Sequence, residues 1–451
     1  MNDIFIGRTA QLETLEKRIR GIKDGYRQNI AILGDEMVGK TSLIFTLLNK
    51  SSDNYIIPVY LEIRPESLAL FGKRFIGVLL YNFLLNSGMD IKEDLDFLLK
   101  KSCAYIPKTA ERINLVLEGL EKRRKENVFT ELLSLGESIH QETGKFCVFI
   151  FDEFHNLESL GVKNIYSEWS RLLLMQKTVM YIITSSFKYK AESVLSKELS
   201  LLFGNFEVIN IEPFDIKSSN AYLDLRFSGL DVDVGLKNFL IYFTGGVPFY
   251  LDVISEALLR YNPDRLVDIL EDLLSNPAGI LNQKFANYLK SFQNDPCSLN
   301  ILYLVSCGHN KIKDIAHLIR KPKKDALICI NRLLFSAAIS RNADFLKIND
   351  RIFSFWLRFV YNEKIRSFTF DDKSQKALFK KNIESMLIEF KQTSGRPVNE
   401  RMMELLRLFD DDLVQVERKK MRLSHFREIK PLELRNRSLR DGLICRSQDS
   451  L

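Results

Sequence analysis

One eight-residue stretch constrains this chain more than any other. Gly34-Asp35-Glu36-Met37-Val38-Gly39-Lys40-Thr41 has the spacing G-x-x-x-x-G-K-[ST]; it follows the apolar run Asn29 to Leu33 and leads into a helical pattern from Ser42 to Leu48. The order strand, loop, helix specifies what such a loop can do. Its glycines let the backbone wrap closely round a phosphate, with main-chain N–H groups and a helix N-terminus facing the anion. Lys40 supplies charge to the β and γ oxygens, and the Thr41 hydroxyl suits Mg²⁺, a cation that takes oxygen ligands. Chance yields roughly 0.02 such matches in a chain of this size.

Two further apolar runs end in groups that complete this chemistry. Cys147 to Phe151 runs into the acid pair Asp152-Glu153. At the C-terminal edge of a parallel sheet, Asp152 can anchor Mg²⁺ and its waters, while Glu153 orients or deprotonates an attacking water. A strand ending in a solvated turn has the same pattern without the chemistry. Met180 to Ile183 ends in Thr184-Ser185-Ser186, where a hydroxyl either senses a γ-phosphate or caps the next helix. The residues nominated for catalysis are therefore Lys40, Glu153, Thr184 and Ser185. Phosphate binding falls to Gly34, Asp35, Glu36, Met37, Val38, Gly39, Lys40, Thr41 and Ser42, and metal binding to Thr41 and Asp152. His155, beside the acid pair, reads as structural, because the five histidines form no metal pair.

The surrounding pattern predicts an α/β domain with a parallel sheet. Strands are expected at Asn29 to Leu33, Tyr55 to Ile63, Cys147 to Phe151, Met180 to Thr184 and Glu207 to Ile211. Several are apolar throughout, as strands covered on both faces are. The segment from Pro65 to Lys145 is too long for one crossover and reads as a helical insertion, including Leu68 to Asn86 and Thr109 to Leu135. From Phe214 to Phe292 helical patterns are broken at Thr244-Gly245-Gly246-Val247-Pro248, Asn262-Pro263 and Asn276-Pro277. Leu299 to Cys307, Ile312 to Leu318 and Lys323 to Leu334 then read as three short helices followed by a hairpin around Arg341 to Asp344, the order of a winged helix-turn-helix. The expected domains are 1–212, the α/β domain with its insertion at about 65–145; 213–293, a helical lid; 294–362, the winged helix; and 363–451, a helical and basic C-terminal region.

Composition excludes several alternatives. With 46% hydrophobic and 27% charged residues, 11 Pro and 21 Gly among 451, the chain is globular rather than disordered or collagen-like. The longest apolar candidate, Phe75 to Leu85, falls short of the roughly 18 residues a membrane helix needs. The N-terminal residues lack the pattern of a signal peptide, so a cytoplasmic location with no membrane association is expected. The six cysteines stand far apart in sequence, without the spacing of a zinc knuckle or a disulfide framework. Net charge is +7, and ten Lys/Arg against five Asp/Glu lie between Leu413 and Leu451, so the basicity belongs largely to the tail.

Taken together, these residues resemble P-loop NTPases of the AAA+/STAND type, particularly the group called archaeal-type ATPases. Phe5-Ile6-Gly7-Arg8-Thr9 with Leu12 and Leu15 is similar to that family's F-x-G-R-x-x-E-L box, implying that Ile6, Gly7 and Arg8 bind the adenine side of a nucleotide. Ile211-Glu212-Pro213-Phe214 resembles the L-x-P-F closing the last strand. Thr244 to Leu251 resembles the G-x-P lid motif, implying that Pro248 abuts the nucleotide. Leu346 to Asp350 and Phe355 to Val360 look like the segment that ends the family's winged helix.

The resemblance implies ATP and Mg²⁺ as cofactors, a Mg-dependent ATPase activity, and a molecular switch that couples ATP or ADP binding to domain rearrangement and to a protein partner. The alternative is an ATP-dependent DNA-binding regulator or replication-initiator-like protein. There the recognition helix, opening Lys321-Pro322-Lys323-Lys324, and the basic tail would contact DNA; in the switch reading the winged helix gates the nucleotide site. The chain departs from the pattern at three places. Asp35 and Glu36 put two acids inside the phosphate loop, Gln11 replaces an acid, and no arginine lies between Arg171 and Arg226, where ring-forming relatives place an arginine finger. Slow turnover fits better than a motor, with Lys188, Lys190 or Lys197 as weaker substitutes in an oligomer. Some relatives also end in a nuclease-like domain. Asp412, Glu417 and Lys419 mimic its D-x(n)-E-x-K pattern, which needs a hairpin. Met402, Leu405, Phe409, Leu413 and Val416 recur at helical spacing and predict one amphipathic helix instead.

Overall fold

All five residues of Asn29–Leu33 are buried, which demands cover on both faces of the strand, and the fold supplies it. The computed structural model describes residues 5–50, 53–89, 91–122, 127–200, 206–366, 372–416, 419–431 and 443–447. The chain divides into two units, Met1–Phe214 and Asp215–Leu451.

The first unit runs α1 (Thr9–Gly21), β1 (Asn29–Leu33), α2 (Lys40–Lys50), β2 (Ile56–Glu62), α3 (Leu68–Asn86), α4 (Leu95–Ser102), α5 (Pro107–Glu121), α6 (Val128–Thr143), β3 (Phe146–Asp152), α7 (Ile165–Met175), β4 (Val179–Ser185), α8 (Lys188–Lys197) and β5 (Phe206–Asn210). The five strands form a parallel sheet in the order β2-β3-β4-β1-β5. Successive side chains of a strand point to opposite faces. Ile30 and Ile32 of β1 therefore join Val148 and Ile150 of β3 in a core with Leu15 of α1 and Leu43, Ile44 and Leu47 of α2. Ala31, Leu33, Phe149 and Phe151 face the other way, into a larger core with Phe71 and Phe75 of α3, Phe129 of α6 and Trp169 of α7. Phe75 and Phe149 meet edge to face, centroids 5.1 Å apart.

Helix α3 has the bounds expected from the sequence, Leu68 to Asn86, and extends beyond the apolar run Phe75 to Leu85. Its 19 residues are long and apolar enough to cross a bilayer, but they include Lys73 and Arg74, and Phe71, Phe75, Ile76, Leu79, Leu80 and Phe83 are packed in the core. Strand β2 lies at the sheet edge, where unpaired main-chain groups invite another strand. Pro58 lacks an N–H, and the Asn86 and Arg74 side chains donate to the Ile56 and Glu62 carbonyls (3.0 and 2.7 Å). That edge is blunted by its own neighbours.

The second unit continues with α9 (Ile216–Arg226), α10 (Val234–Thr244), α11 (Pro248–Tyr261), α12 (Leu266–Leu274) and α13 (Ile280–Lys290). A winged helix follows: α14 (Pro296–Ser306), α15 (Ile312–Leu318), α16 (Lys323–Phe335) and the antiparallel wing β6 (Ile339–Asn342) and β7 (Phe345–Ile348). Next come α17 (Arg351–Trp356), α18 (Asn362–Arg366), α19 (Asp372–Ser394) and α20 (Val398–Leu406). Helix α19 is fastened to α12 by Lys380, 2.6 Å from Asp268, and to α10 by Phe390, whose ring meets Phe239 at 5.6 Å.

Two expectations from sequence are overturned in this unit. Cys297 of α14 and Cys329 of α16 form a disulfide, Cα atoms 6.2 Å apart across a sequence separation of 32. Helix packing brings together thiols whose spacing along the chain gives no hint of it. The predicted helix through Leu413 and Val416 stops at Leu406; β8 (Asp412–Val416) and β9 (Lys419–Leu423) form an antiparallel hairpin, and β10 (Phe426–Pro431) pairs with β11 (Leu443–Ser447). Asp410-Asp411-Asp412 would place three carboxylates at the negative end of a helix dipole, and Asp411 takes the left-handed conformation (φ 55°) that breaks the run. Val414 and Val416 then favour a strand. Asp412 and Lys419 thus lie on a hairpin, with Asp412 2.6 Å from Lys311; Glu417 lies outside the described residues, as do Arg418, Arg435, Arg437 and Arg440 of the basic tail.

Candidate nucleotide site

Three neighbouring strands, β3, β4 and β1, end side by side, and each delivers one chemical segment. The carboxyl ends of parallel strands open onto the crevice where ligands bind in α/β sheets. The loop Gly34 to Gly39 leaves β1, with Val38 buried and Glu36 exposed, and Ser42 stands exposed on the first turn of α2. Two glycines are required by the backbone itself. Gly39 has φ +95°, and a Cβ on Gly34 would collide with the Ile211 carbonyl and press on Val38 at 3.0 Å. Gly34→Ala is accordingly expected to cost about 1–3 kcal/mol of stability. Urea unfolding checks this, and an unchanged midpoint would contradict it.

Lys40 is the first residue of α2 and is only 4% exposed. Its Nζ donates to the main-chain carbonyls of Gly34 and Asp35, both at 3.0 Å, and stands 3.7 Å from Glu153 Oε1. A buried ammonium held on carbonyl oxygens is poised to exchange them for phosphate oxygens, which make stronger, charge-assisted bonds. Thr41 Oγ1 donates to Asp152 Oδ2 at 2.9 Å, and the Tyr60 hydroxyl donates to the same oxygen at 2.8 Å. Thr184 Oγ1 donates to the other oxygen, Asp152 Oδ1. Burial and the Asp152 carboxylate push the Tyr60 phenol well above its ordinary pKa, so Tyr60 acts here as a donor. One carboxylate thus gathers three hydroxyls from β2, α2 and β4. This all-oxygen set of Thr41 and Asp152 beside the cradle suits Mg²⁺.

Glu153 follows the last residue of β3 in the left-handed conformation, φ 55°, which costs a non-glycine residue about 1–2 kcal/mol. The turn brings its carboxylate to the end of β4. Oε2 accepts from the Ser186 N–H and hydroxyl at 2.8 and 2.9 Å, while the Glu153 N–H donates to Thr184 Oγ1 at 3.2 Å. Burial raises the Glu153 pKa against the lowering pull of Lys40 and Ser186. Ser185 Oγ lies 2.9 Å from His155 Nδ1 and accepts from the Phe187 N–H. The hydroxyls of Thr184 and Ser186 thus turn toward the acid pair, and no side chain caps α8.

Arg8 ties the opening segment to the loop. Its guanidinium donates to the Val38 carbonyl at 3.4 Å and to the Glu212 carbonyl, and lies over the Phe214 ring at 5.2 Å. Ile6 is half-buried and Gly7 exposed, with φ 73°. Pro248 belongs to the second unit, as the first residue of α11. Lys190 is engaged with Glu158 at 2.7 Å and with the His155 carbonyl, Lys188 lies 3.4 Å from Glu212, and Lys197 is exposed at the far end of α8. Tyr60, Ser186 and His155 were not nominated from sequence. A polar-tipped residue in an otherwise apolar edge strand is the signal that would have found Tyr60.

No protein-family model matches the chain, and no curated protein matches it. Among solved structures, it is similar to a Walker-type ATPase of Pyrococcus abyssi over 79% of this chain and 97% of that one, with a TM-score of 0.59 at 19% identity. The chain has the fold of a Walker-type, P-loop ATPase. The ORC2 protein of Aeropyrum pernix is also similar, at 11% identity over 86% of this chain and 98% of that one, with a TM-score of 0.46. Within the P-loop ATPase fold, the cradle, the acid pair and the row of hydroxyls occupy adjacent strand ends of one sheet.

Proposed function

We propose that this protein is an ATP-dependent molecular switch: it binds ATP in the Gly34 to Thr41 cradle, hydrolyses it slowly, and couples the nucleotide state to partner binding. The observation that carries this reading is the convergence of Lys40, Thr41, Asp152, Glu153 and Thr184 at one sheet edge, two of them almost wholly buried yet charged. Buried charges are expensive unless something pairs with them, and a triphosphate with its cation is a partner of the right size and sign. Lys40 and the loop N–H groups would bind the β- and γ-phosphates. Thr41 and Asp152 would hold Mg²⁺, which when bound neutralises phosphate charge. Glu153 would take a proton from water as the water oxygen attacks the γ-phosphorus and ADP departs with the bridging oxygen. The absence of an arginine between Arg171 and Arg226 supports slow turnover.

The second unit contains a linkage suited to a switch. Tyr250, two residues after Pro248, donates its hydroxyl to Asp350, the cap of α17, and Lys284 stands 3.9 Å from the same carboxylate. Arg351 donates to the Tyr242 carbonyl at 2.9 Å. The lid motif and the end of the winged helix therefore share side-chain bonds, so a shift in one strains the other. Limited proteolysis with ATP, ADP and no nucleotide tests this. The switch predicts distinct cleavage patterns for ATP and ADP, and identical patterns would contradict it, since a ligand shifts only states it binds differently.

A second reading, ATP-dependent DNA binding, is favoured by Lys321, just before α16, and Lys323 and Lys324 in its first turn, all exposed. If these lysines meet phosphates, their replacement by alanine lowers duplex affinity and flattens its dependence on log salt by up to about three units of slope. Matching curves for variant and wild type would remove that helix as the contact.

A further inference from the structure

The end of β4 presents three hydroxyls in a row, each holding a different group. Thr184 is bonded to Asp152, Ser186 to Glu153 and Ser185 to His155. Phosphate binding and hydrolysis as described give His155 no part, yet it is held as firmly as the acids. It is 4% exposed, its ring lies against Phe187 with centroids 4.4 Å apart, and its carbonyl accepts from Lys190 Nζ at 3.0 Å. Its Nδ1 is 2.9 Å from Ser185 Oγ and 3.2 Å from Glu153 Oε2.

These two distances select a tautomer. A ring nitrogen facing a carboxylate oxygen at 3.2 Å is attracted only if it carries the proton; a bare lone pair there would meet another. Ser185 Oγ already accepts from the Phe187 N–H at 3.1 Å and has a second lone pair for the same ring proton. With the Nδ1 proton shared in this way, Glu153 Oε2 has three donors around it: the Ser186 N–H, the Ser186 hydroxyl and the ring. The terminal torsion of a glutamate is otherwise broad. Anchoring Oε2 leaves Oε1, 3.7 Å from Lys40 Nζ, turned toward the phosphate loop, where an attacking water must lie.

We propose that His155 is a positioning residue: its Nδ1–H, oriented by Ser185, clamps one oxygen of Glu153 so that the other faces the phosphate loop. This rests on the hydrolysis reading for its consequence but not for the contact itself, and two measurements separate them. In ¹⁵N-histidine-labelled full-length protein, the His155 resonance is identified by its loss in His155→Asn. It should show the Nδ1–H tautomer, and Glu153→Ala should return it to the commoner Nε2–H form. An Nε2–H ring in the wild type overturns the proposal whether or not ATP is hydrolysed. In turnover assays, His155→Leu should lower kcat by about 10- to 100-fold with ATP affinity within about twofold of wild type. His155→Asn, which puts an amide N–H where Nδ1 stands, should recover to within about threefold. A kcat for His155→Leu within about twofold of wild type, alongside an inactive Glu153→Gln, also overturns it. Absence of turnover in the wild type counts against hydrolysis, and the tautomer then judges the clamp alone.

Discussion

Lys40→Ala is expected to weaken ATP binding by at least about 100-fold, equivalent to about 2.7 kcal/mol, while leaving the unliganded protein folded. The amine is buried at the mouth of the cradle and makes two 3.0 Å bonds to loop carbonyls. Those carbonyls border a loop whose Glu36 is exposed, so water can replace the lost donor when no nucleotide is present. Nothing in the alanine variant replaces the positive charge that phosphate oxygens require. Thermal unfolding with and without Mg·ATP separates the two effects. At about 100 times the dissociation constant, ligand adds about 2.7 kcal/mol to the wild type. The variant should show almost none of that shift at the same concentration, and an equal shift in both proteins would contradict the assignment.

Glu153→Gln should lower phosphate release by about 100- to 1,000-fold without loss of ATP binding. The amide oxygen can still accept from the Ser186 N–H and hydroxyl, so the local geometry is kept. What is lost is the basic oxygen 3.7 Å from Lys40 Nζ. Removing a negative charge beside a triphosphate site favours the bound anion, so affinity should be equal to or higher than that of the wild type. Turnover of this variant at the wild-type rate would remove Glu153 from the catalytic role.

The parts of the fold that depend on local pattern were legible in advance. The five strands of the sheet, the phosphate loop between β1 and α2, and the three helices and wing of the second unit follow from runs of apolar residues, glycines and turn formers that act over a few positions. Contacts between distant segments were not. Tyr60 reaches Asp152 only because β2 lies beside β3, a pairing that no periodicity reveals. His155 reads as structural in the sequence, and only the fold places Ser185, at the end of β4, against it. Cys297 and Cys329 meet through helix packing. The hairpin at Asp412–Val416 and Lys419–Leu423 was missed for a different reason: five apolar residues happened to fit a helical period, and the carboxylate run that ends the helix was outweighed by them.

The carboxyl edge of the sheet should receive a triphosphate on Lys40 and the loop amides. A crystal structure with Mg²⁺ and a non-hydrolysable ATP analogue tests it most directly. One nucleotide should lie in the cradle, with Lys40 Nζ transferred from the Gly34 and Asp35 carbonyls to phosphate oxygens, and Thr41 and Asp152 on the cation. Nucleotide bound elsewhere, or Lys40 still on those carbonyls at saturating ligand, would contradict it.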